Sequence, residues 1–370
     1  MKILNINSYY YSSSVHRQLQ KSLEEMQLDL FTYVPVARGY IPREECRYGL
    51  EERVKRVECY NKNDRYIFHL KHFKILNNLE QSFDFNRYDL LHAHSLFSNG
   101  YIAMKIKEKY GIPYIVTVRD TDVNTFFKKL IYLRNLGNKI LLEAESIVFL
   151  SKPYREHLIK RYVKVENQDT ILKKSYVIPN GIDKFWLENK GSPKTLKNKN
   201  EIMLLYVGAI SKRKNILTTI HAINILKQKG YNIRFTIVGE IVDEVIYNKI
   251  QKFDFVKYLP PKQKDELLMI YRENDIYVMP SITETFGLVY PEAMSQGLPV
   301  IYSKGQGFDG QFEDGEVGFA INCFNSNEIA ERIINIVNDY PGFSEKCIIY
   351  SDKFDWNKIS KTYGKLYNHA

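Results

Sequence analysis

Ser281-Ile282-Thr283-Glu284-Thr285-Phe286-Gly287-Leu288-Val289-Tyr290-Pro291-Glu292-Ala293-Met294 sets two carboxylates eight residues apart, on either side of a helix start. The apolar run Ile276-Tyr277-Val278-Met279-Pro280 ahead of it fits a strand that ends in a turn. Leu288, Val289, Ala293 and Met294 then give a short helical face that stops at Gly297. Glu284 therefore belongs to a strand-to-helix loop. Glu292 is expected about one and a half turns into the helix, roughly 7–8 Å along its axis. Between them, the N–H groups near Phe286, Gly287 and Leu288 form an anion-attracting helix end. One carboxylate for sugar hydroxyls, a helix end for phosphate and one carboxylate for a ribose suit a sugar nucleotide. Two solvated glutamates on an ordinary amphipathic helix would show the same spacing, so the rest of the chain decides.

The flanking sequence repeats one pattern. Strand-like runs at Lys2–Ile6, Asp29–Val34, Tyr88–Ala93, Pro113–Val118, Ser146–Leu150 and Tyr176–Ile178 alternate with helical stretches such as Val15–Met26 and Tyr101–Tyr110. That alternation is the mark of a parallel sheet wrapped by helices. A second series runs through Ile202–Val207, Ile233–Val238, Phe255–Leu259, Ile276–Met279 and Pro299–Tyr302. Leu187–Asn200, rich in Lys with one Gly and one Pro, reads as a linker between the two series. The charged stretch Ala37–Arg65 lacks periodicity and reads as a functional loop or a partly disordered insertion. No Gly-x-Gly-x-x-Gly follows Lys2–Ile6, which argues against a nicotinamide dehydrogenase.

The Ser281–Met294 segment resembles the Glu-x7-Glu motif of retaining GT-B glycosyltransferases, especially family 4 of the bacterial surface-polysaccharide type. Three further segments resemble that family in the correct order. They are Tyr206–Asn215 (strand, Gly208 turn and basic pair), Val177–Asp183 (interdomain signature) and Phe354–Tyr367 (closing helix). The resemblance implies an α/β, GT-B architecture of two Rossmann-like parallel-sheet domains facing a cleft. Residues 1–185 would form the acceptor-side domain, with helix 355–370 packing back on it. Residues 186–354 would bind the nucleotide sugar.

Charge and cysteine usage bound the partners and the compartment. Of 370 residues 44% are apolar, enough for two cores. No apolar run approaches the ~20 residues of a spanning helix, and no signal-type N-terminus is read. Cys46, Cys59, Cys323 and Cys347 show no Cys-x-x-Cys spacing and read as free thiols, so a cytoplasmic protein is expected. Net charge is +10, and it is uneven: residues 1–185 hold 30 Lys+Arg against 21 Asp+Glu (+9), residues 186–370 hold 23 against 22 (+1). Any single basic face is usually just solvated, but a half skewed this way, with Lys128, Lys129 and Arg134 among its cations, points to an anionic membrane surface. No nucleic-acid motif is present to favour that alternative.

By resemblance, Lys214 is the lysine on the leaving diphosphate, with Arg213 a second contact. Fixed cations and a helix end would stabilise that charge without a metal. The family often carries Arg directly after the glycine, where this chain has Ala209. Glu284 would bond the donor sugar's hydroxyls and Glu292 the ribose, a natural task for a carboxylate facing a vicinal diol. Gly208 brings the backbone close, and Glu240 after Gly239 is either a nucleotide contact or plain solvated surface.

The N-terminal half departs from the family pattern. Ser13-Ser14 stands where Gly-Gly is usual, followed by His16. Leu91–Ser95 resembles the family's His-x-His strand end and offers His94 an acceptor-side or packing role. Arg119-Asp120 replaces His-Gly, so Arg119 cannot act as a base and is read as a clamp for an acidic acceptor or a phosphate. Asp120-Thr121-Asp122 mimics a metal-binding Asp-x-Asp, but no metal is expected in a GT-B context.

The expected function is metal-independent, retaining transfer of a hexose to a hydroxyl of a growing, lipid-linked surface glycan. A UDP-sugar is favoured over a GDP-sugar, and no cofactor is expected. With no obvious nucleophilic carboxylate in the N-terminal half, same-face displacement assisted by the leaving phosphate is preferred over a covalent intermediate. The alternatives are another GT-B reaction, such as sugar-nucleotide epimerisation, and a catalytically silent partner that binds sugar nucleotide or membrane.

Overall fold

The computed structural model describes residues 1–42 and 53–369. The chain forms two compact units. One comprises Met1–Leu150, Arg155–Pro179 and Trp356–Ala370; the other comprises Ser151–Tyr154 and Asn180–Asp355. The division thus falls at Pro179, a little before the boundary expected after residue 185.

The first unit holds a seven-stranded sheet: β1 (Lys2–Ile6), β2 (Asp29–Ala37), β3 (Val54–Tyr60), β4 (Leu90–Ala93), β5 (Tyr114–Thr117), β6 (Ser146–Phe149) and β7 (Ser175–Val177), in spatial order β3-β2-β1-β4-β5-β6-β7. Every pairing is parallel. β4, β5 and β6 are buried along their whole length, as expected of strands covered by helices on both faces. The closing helix Trp356–Asn368 packs on Ser14–Glu24: Ser22 Oγ donates to Ser360 Oγ at 3.1 Å and Trp356 Nε1 to Gln18 Oε1 at 2.9 Å.

The second unit holds a six-stranded parallel sheet: β8 (Glu201–Val207), β9 (Asn232–Val238), β10 (Val256–Leu259), β11 (Ile276–Met279), β12 (Val300–Ser303) and β13 (Gly318–Ile321), in order β10-β9-β8-β11-β12-β13. In both sheets the order reverses beside the first strand of the series, between β1 and β4 and between β8 and β11. Loops leaving the carboxyl ends of those strands diverge there, and this divergence makes the crevice in which open parallel sheets take ligands.

Two expectations need correction. The stretch Ala37–Arg65 is not simply a loop: it contains edge strand β3, paired to β2, and a tight turn at Lys62–Tyr66. Residues 43–52 lie outside the described residues. Leu187–Asn200 is not a free linker. Lys190 Nζ pairs with Asp352 at 2.5 Å, and Gly191 N–H donates to Ser295 O. Lys194 Nζ donates to the oxygens of Tyr271, Arg272 and Asn274 at 3.2, 2.9 and 2.6 Å, closing the end of the helix Lys264–Glu273. Burial holds the Lys194 ammonium down at about 8.

Candidate functional site

In the second unit the loops after β8 and β11 meet across the switch point. Gly208 and Gly239 end neighbouring strands so closely that a Cβ on Gly239 would lie 2.0 Å from the Gly208 oxygen. Both take φ values open to glycine, +152° and +153°. Beyond Gly208, Lys212–Lys214 make one 3₁₀ turn, and Asn215, at φ +57°, turns the chain into the helix Ile216–Gln228. The basic pair therefore sits on a separate turn before that helix rather than in its first turn. Ile282 N–H donates to Arg213 O at 2.8 Å, tying the two loops together.

This tie brings the predicted chemistry to one place. Lys214 Nζ lies 2.5 Å from Glu284 Oε2, with both side chains largely buried. Arg213 Nη1 is 3.6 Å from the same oxygen and donates to Thr283 O at 2.6 Å. A two-residue segment after β12 holds Glu284 from the other side: Gln306 Oε1 accepts from Glu284 N–H at 2.9 Å, and Gly307 N–H donates to Glu284 O at 2.8 Å. Sequence reasoning missed Gln306 and Gly307. Their signal is the pair Gly305 and Gly307 immediately past a strand end.

The helix carrying Glu292 begins at Val289 and is only seven residues long, so Glu292 lies in its first turn, not one and a half turns in. Phe286, Gly287 and Leu288 precede it as an irregular loop, and so short a helix brings only a weak dipole. Phe286 is buried between the rings of Phe308 and Phe354. Gly287 takes φ +79°, and a Cβ there would meet the Tyr290 ring at 2.6 Å. Glu292 Oε2 accepts from Tyr271 Oη at 3.4 Å, and Trp186 is a second side-chain partner. Burial pushes this carboxyl up to about 7, against the pull of the nearby Lys264. Lys264 itself pairs with Asp183 at 2.5 Å. Glu240 stands apart: it is exposed, and its main-chain oxygen accepts from Ile210 N–H.

In the first unit Ser13 is extended at φ −151° and precedes the helix that Ser14 opens; Ser13 makes no side-chain cap bond, and Ser14 is exposed. The loop thus needs no glycine at this point, which accounts for the Ser13-Ser14 departure. His16, His94 and Arg119 are brought together. The His16 and His94 rings meet edge to face at 5.6 Å, and Arg119 Nε donates to His94 O at 3.2 Å. His92 lies under His94 at 4.0 Å between Tyr367 Oη and Thr117 Oγ1. Burial first, then neighbouring Arg119 and imidazoles, holds all three histidines neutral. Asp122 accepts from the main-chain N–H groups of Leu96, Phe97 and Arg119 at 2.9, 3.0 and 2.8 Å. Asp120 accepts from Asn124 Nδ2. Asp122 therefore ties its loop to the one after β4, while Asp120 bonds within its own loop.

Two Rossmann-like parallel sheets, with polar side chains gathered at each switch point, define a GT-B protein. Residues 14–184 match the model of Glycosyltransferase Family 4 and residues 188–354 that of Glycosyl transferases group 1. Between them the two models span nearly the whole chain, which belongs to the group 1 glycosyltransferases. An uncharacterized glycosyltransferase of Methanocaldococcus jannaschii is 26% identical over 99% of this chain and 98% of its own. The capsular polysaccharide biosynthesis glycosyltransferase CapM of Staphylococcus aureus is 29% identical over 61% of each chain. Among solved structures, Anabaena HepE in complex with UDP-glucose superposes with a TM-score of 0.70 at 16% identity, covering all of both chains.

Proposed function

We propose that this glycosyltransferase moves a hexose, with retention, from a nucleotide-diphosphate sugar to a hydroxyl of a growing, lipid-linked surface glycan. The observation that carries the reading is the buried Lys214–Glu284 pair with Arg213 beside it. The carboxylate and ammonium satisfy one another. A bound donor would divide them, giving Glu284 the sugar hydroxyls and Lys214 and Arg213 the charge that develops on the leaving diphosphate. Glu292, set beside Tyr271 and Trp186, is suited to the ribose diol. The likeness to CapM supports a glycan acceptor, and a neighbour holding UDP-glucose supports UDP over GDP. The departing phosphate serves as base on the same face. The reaction runs without a metal, on the cytoplasmic face of a membrane whose anionic lipid holds the first unit.

Incubation with UDP-glucose tests this reading. Free UDP should appear even without acceptor, and excess chelator should leave the rate unchanged. The transferred sugar should keep the donor's anomeric configuration. No UDP release would instead identify a silent binder, and a rate lost to chelator and restored by magnesium or manganese would overturn the metal-free step.

A further inference from the structure

Around the loop Asn7–Tyr9 that leaves β1, three buried side chains keep a polar atom that no group among the described residues satisfies. They are His16 Nδ1, His94 Nδ1 and Asn99 Nδ2, on residues only 6%, 3% and 1% exposed. Buried polar atoms in folded proteins are normally hydrogen-bonded, so three at one loop require a reason. Their roles follow from their other bonds. Asn5 Nδ2 donates to Thr32 Oγ1, so Asn5 Oδ1 is the acceptor facing His94 Nε2 at 3.3 Å. His94 Nε2 therefore carries the hydrogen, and Nδ1 is left as a bare lone pair. Ser8 N–H donates to Asn99 Oδ1 at 3.4 Å, which leaves Asn99 Nδ2 as a donor. The rings connect these groups: Tyr9 stacks on His16 at 6.1 Å, and His16 meets His94 edge to face.

One lone pair and one N–H donor at the same loop complement a hydroxyl group, which donates to the first and accepts from the second. The neighbouring Arg119, anchored by its Nε on the His94 oxygen, adds a cation. We propose that Asn99, His94 and His16 with Arg119 form an acceptor subsite for a sugar hydroxyl that carries an adjacent anionic group, a carboxylate or a phosphate. This inference rests on the transferase reading, from which it takes the role of the bound hydroxyl. It adds that the acceptor is acidic. Arginine suits that task because its charge persists in a buried site and strengthens a hydrogen bond to an anion.

The test compares binding of glucose, glucuronate and glucose 6-phosphate to the full chain, measured by calorimetry. Each measurement is repeated in Lys214→Ala so that anion binding at the donor-side cations is not counted. We expect one or both anionic probes to bind at least about tenfold more tightly than glucose, the scale of one charge-assisted hydrogen bond. Which of the two gains tells carboxylate from phosphate. Arg119→Gln should erase that preference, whereas Arg119→Lys should restore part of it. Asn99→Asp, nearly isosteric, should weaken all three probes and the anions most. Equal binding of the three probes, no detectable binding of any, or a preference that survives Arg119→Gln would overturn the proposal. Release of UDP from UDP-glucose without acceptor is read in parallel. If it fails while the anion preference stands, the transferase reading falls and the subsite remains; the converse separates them the other way.

Discussion

Gly307 and Thr285 stand too close for a side chain between them: a Cβ on Gly307 would lie 1.9 Å from the Thr285 carbonyl oxygen. The same glycine donates its N–H to Glu284 O, so the backbone after β12 is the wall that sets the height of the Glu284 loop. Gly307→Ala must push that loop away, separating Glu284 from Lys214. We expect kcat to fall by at least about tenfold, since small displacements of positioning groups are costly. Gly305 is the control. It takes φ +75°, and a methyl group there would have no atom within 4 Å, so Gly305→Ala should cost only ~1–2 kcal/mol of backbone strain and leave kcat near wild type. Equal kcat for the two variants would show that contact with Thr285 does not position Glu284.

Lys214→Ala should lower turnover by about 10²–10³, the scale for loss of one preorganised charge-stabilising group. It also strands Glu284, a largely buried carboxylate whose remaining cation, Arg213, is more distant at 3.6 Å. Removing one member of a buried pair destabilises more than removing both. The double variant Lys214→Met with Glu284→Gln should therefore melt higher than Lys214→Ala while remaining as inactive. Melting curves and steady-state rates check both halves, and wild-type turnover in Lys214→Ala would end its assignment to the leaving group.

Glu292 gives a pH signature. Burial raises its folded carboxyl from 4.5 to about 7. Between those values the folded chain holds a proton that the unfolded chain has lost. Stability from this group is thus complete below about pH 4.5, declines as pH rises through 7, and stays level above. Glu292→Gln should flatten that decline in a series of melting temperatures from pH 5 to 8. The ionised carboxylate is also the better acceptor for two ribose hydroxyls, so wild-type affinity for UDP should rise between pH 6 and 8. The variant should bind UDP about tenfold more weakly at pH 8, with little pH dependence. A variant with the wild-type slope would place the titration elsewhere.

Most strands of both sheets were legible because they are short, largely apolar runs, and Ile276–Met279 and Lys2–Ile6 match residue for residue; β13, only four residues opening on Gly318, was passed over. β3 was missed too, because Val54–Tyr60 is an edge strand whose residues are exposed or half-buried and read as a charged loop. The Glu284–Lys214 encounter was legible as motif residues at two strand ends, although their direct pairing came only with the fold. Gln306 and Gly307 act through main-chain geometry, which side-chain chemistry does not announce. The orphaned atoms of His94 and Asn99 depend on bonds to Asn5 and Ser8, residues distant in sequence. Leu187–Asn200 misled because lysine and glycine mark linkers, whereas here Lys194 closes a helix end.

The first unit should dock reversibly on anionic membrane. Residues 1–185 carry +9 against +1 for the remainder. No helix among the described residues is long and apolar enough to cross a bilayer. Lys128 and Lys129 are exposed beside Ile131 and Tyr132, which are 65% and 68% exposed, so cations and insertable apolar groups share one short turn. The nearby helix Phe68–Ser82 adds Leu70 and Phe73, exposed on the side opposite its buried Phe68, Ile75 and Leu79; Phe68 touches Phe126 at 6.1 Å. Arg134 is a poor probe of this surface, because its Nε donates to Phe127 O and its guanidinium covers the Tyr162 ring. The informative variants are therefore Lys128→Glu with Lys129→Glu, and Ile131→Ser with Tyr132→Ser. Each basic residue near anionic lipid contributes about 1 kcal/mol, and the attraction decays over a Debye length of ~8 Å at physiological salt. Charge reversal should reduce co-sedimentation with phosphatidylserine vesicles at least tenfold, and raised salt should do the same to the wild type. The serine pair should weaken binding with less effect on its salt dependence, and neither pair should alter UDP affinity. Equal sedimentation with neutral vesicles, or binding indifferent to salt, would show that the charge asymmetry is an ordinary solvated surface.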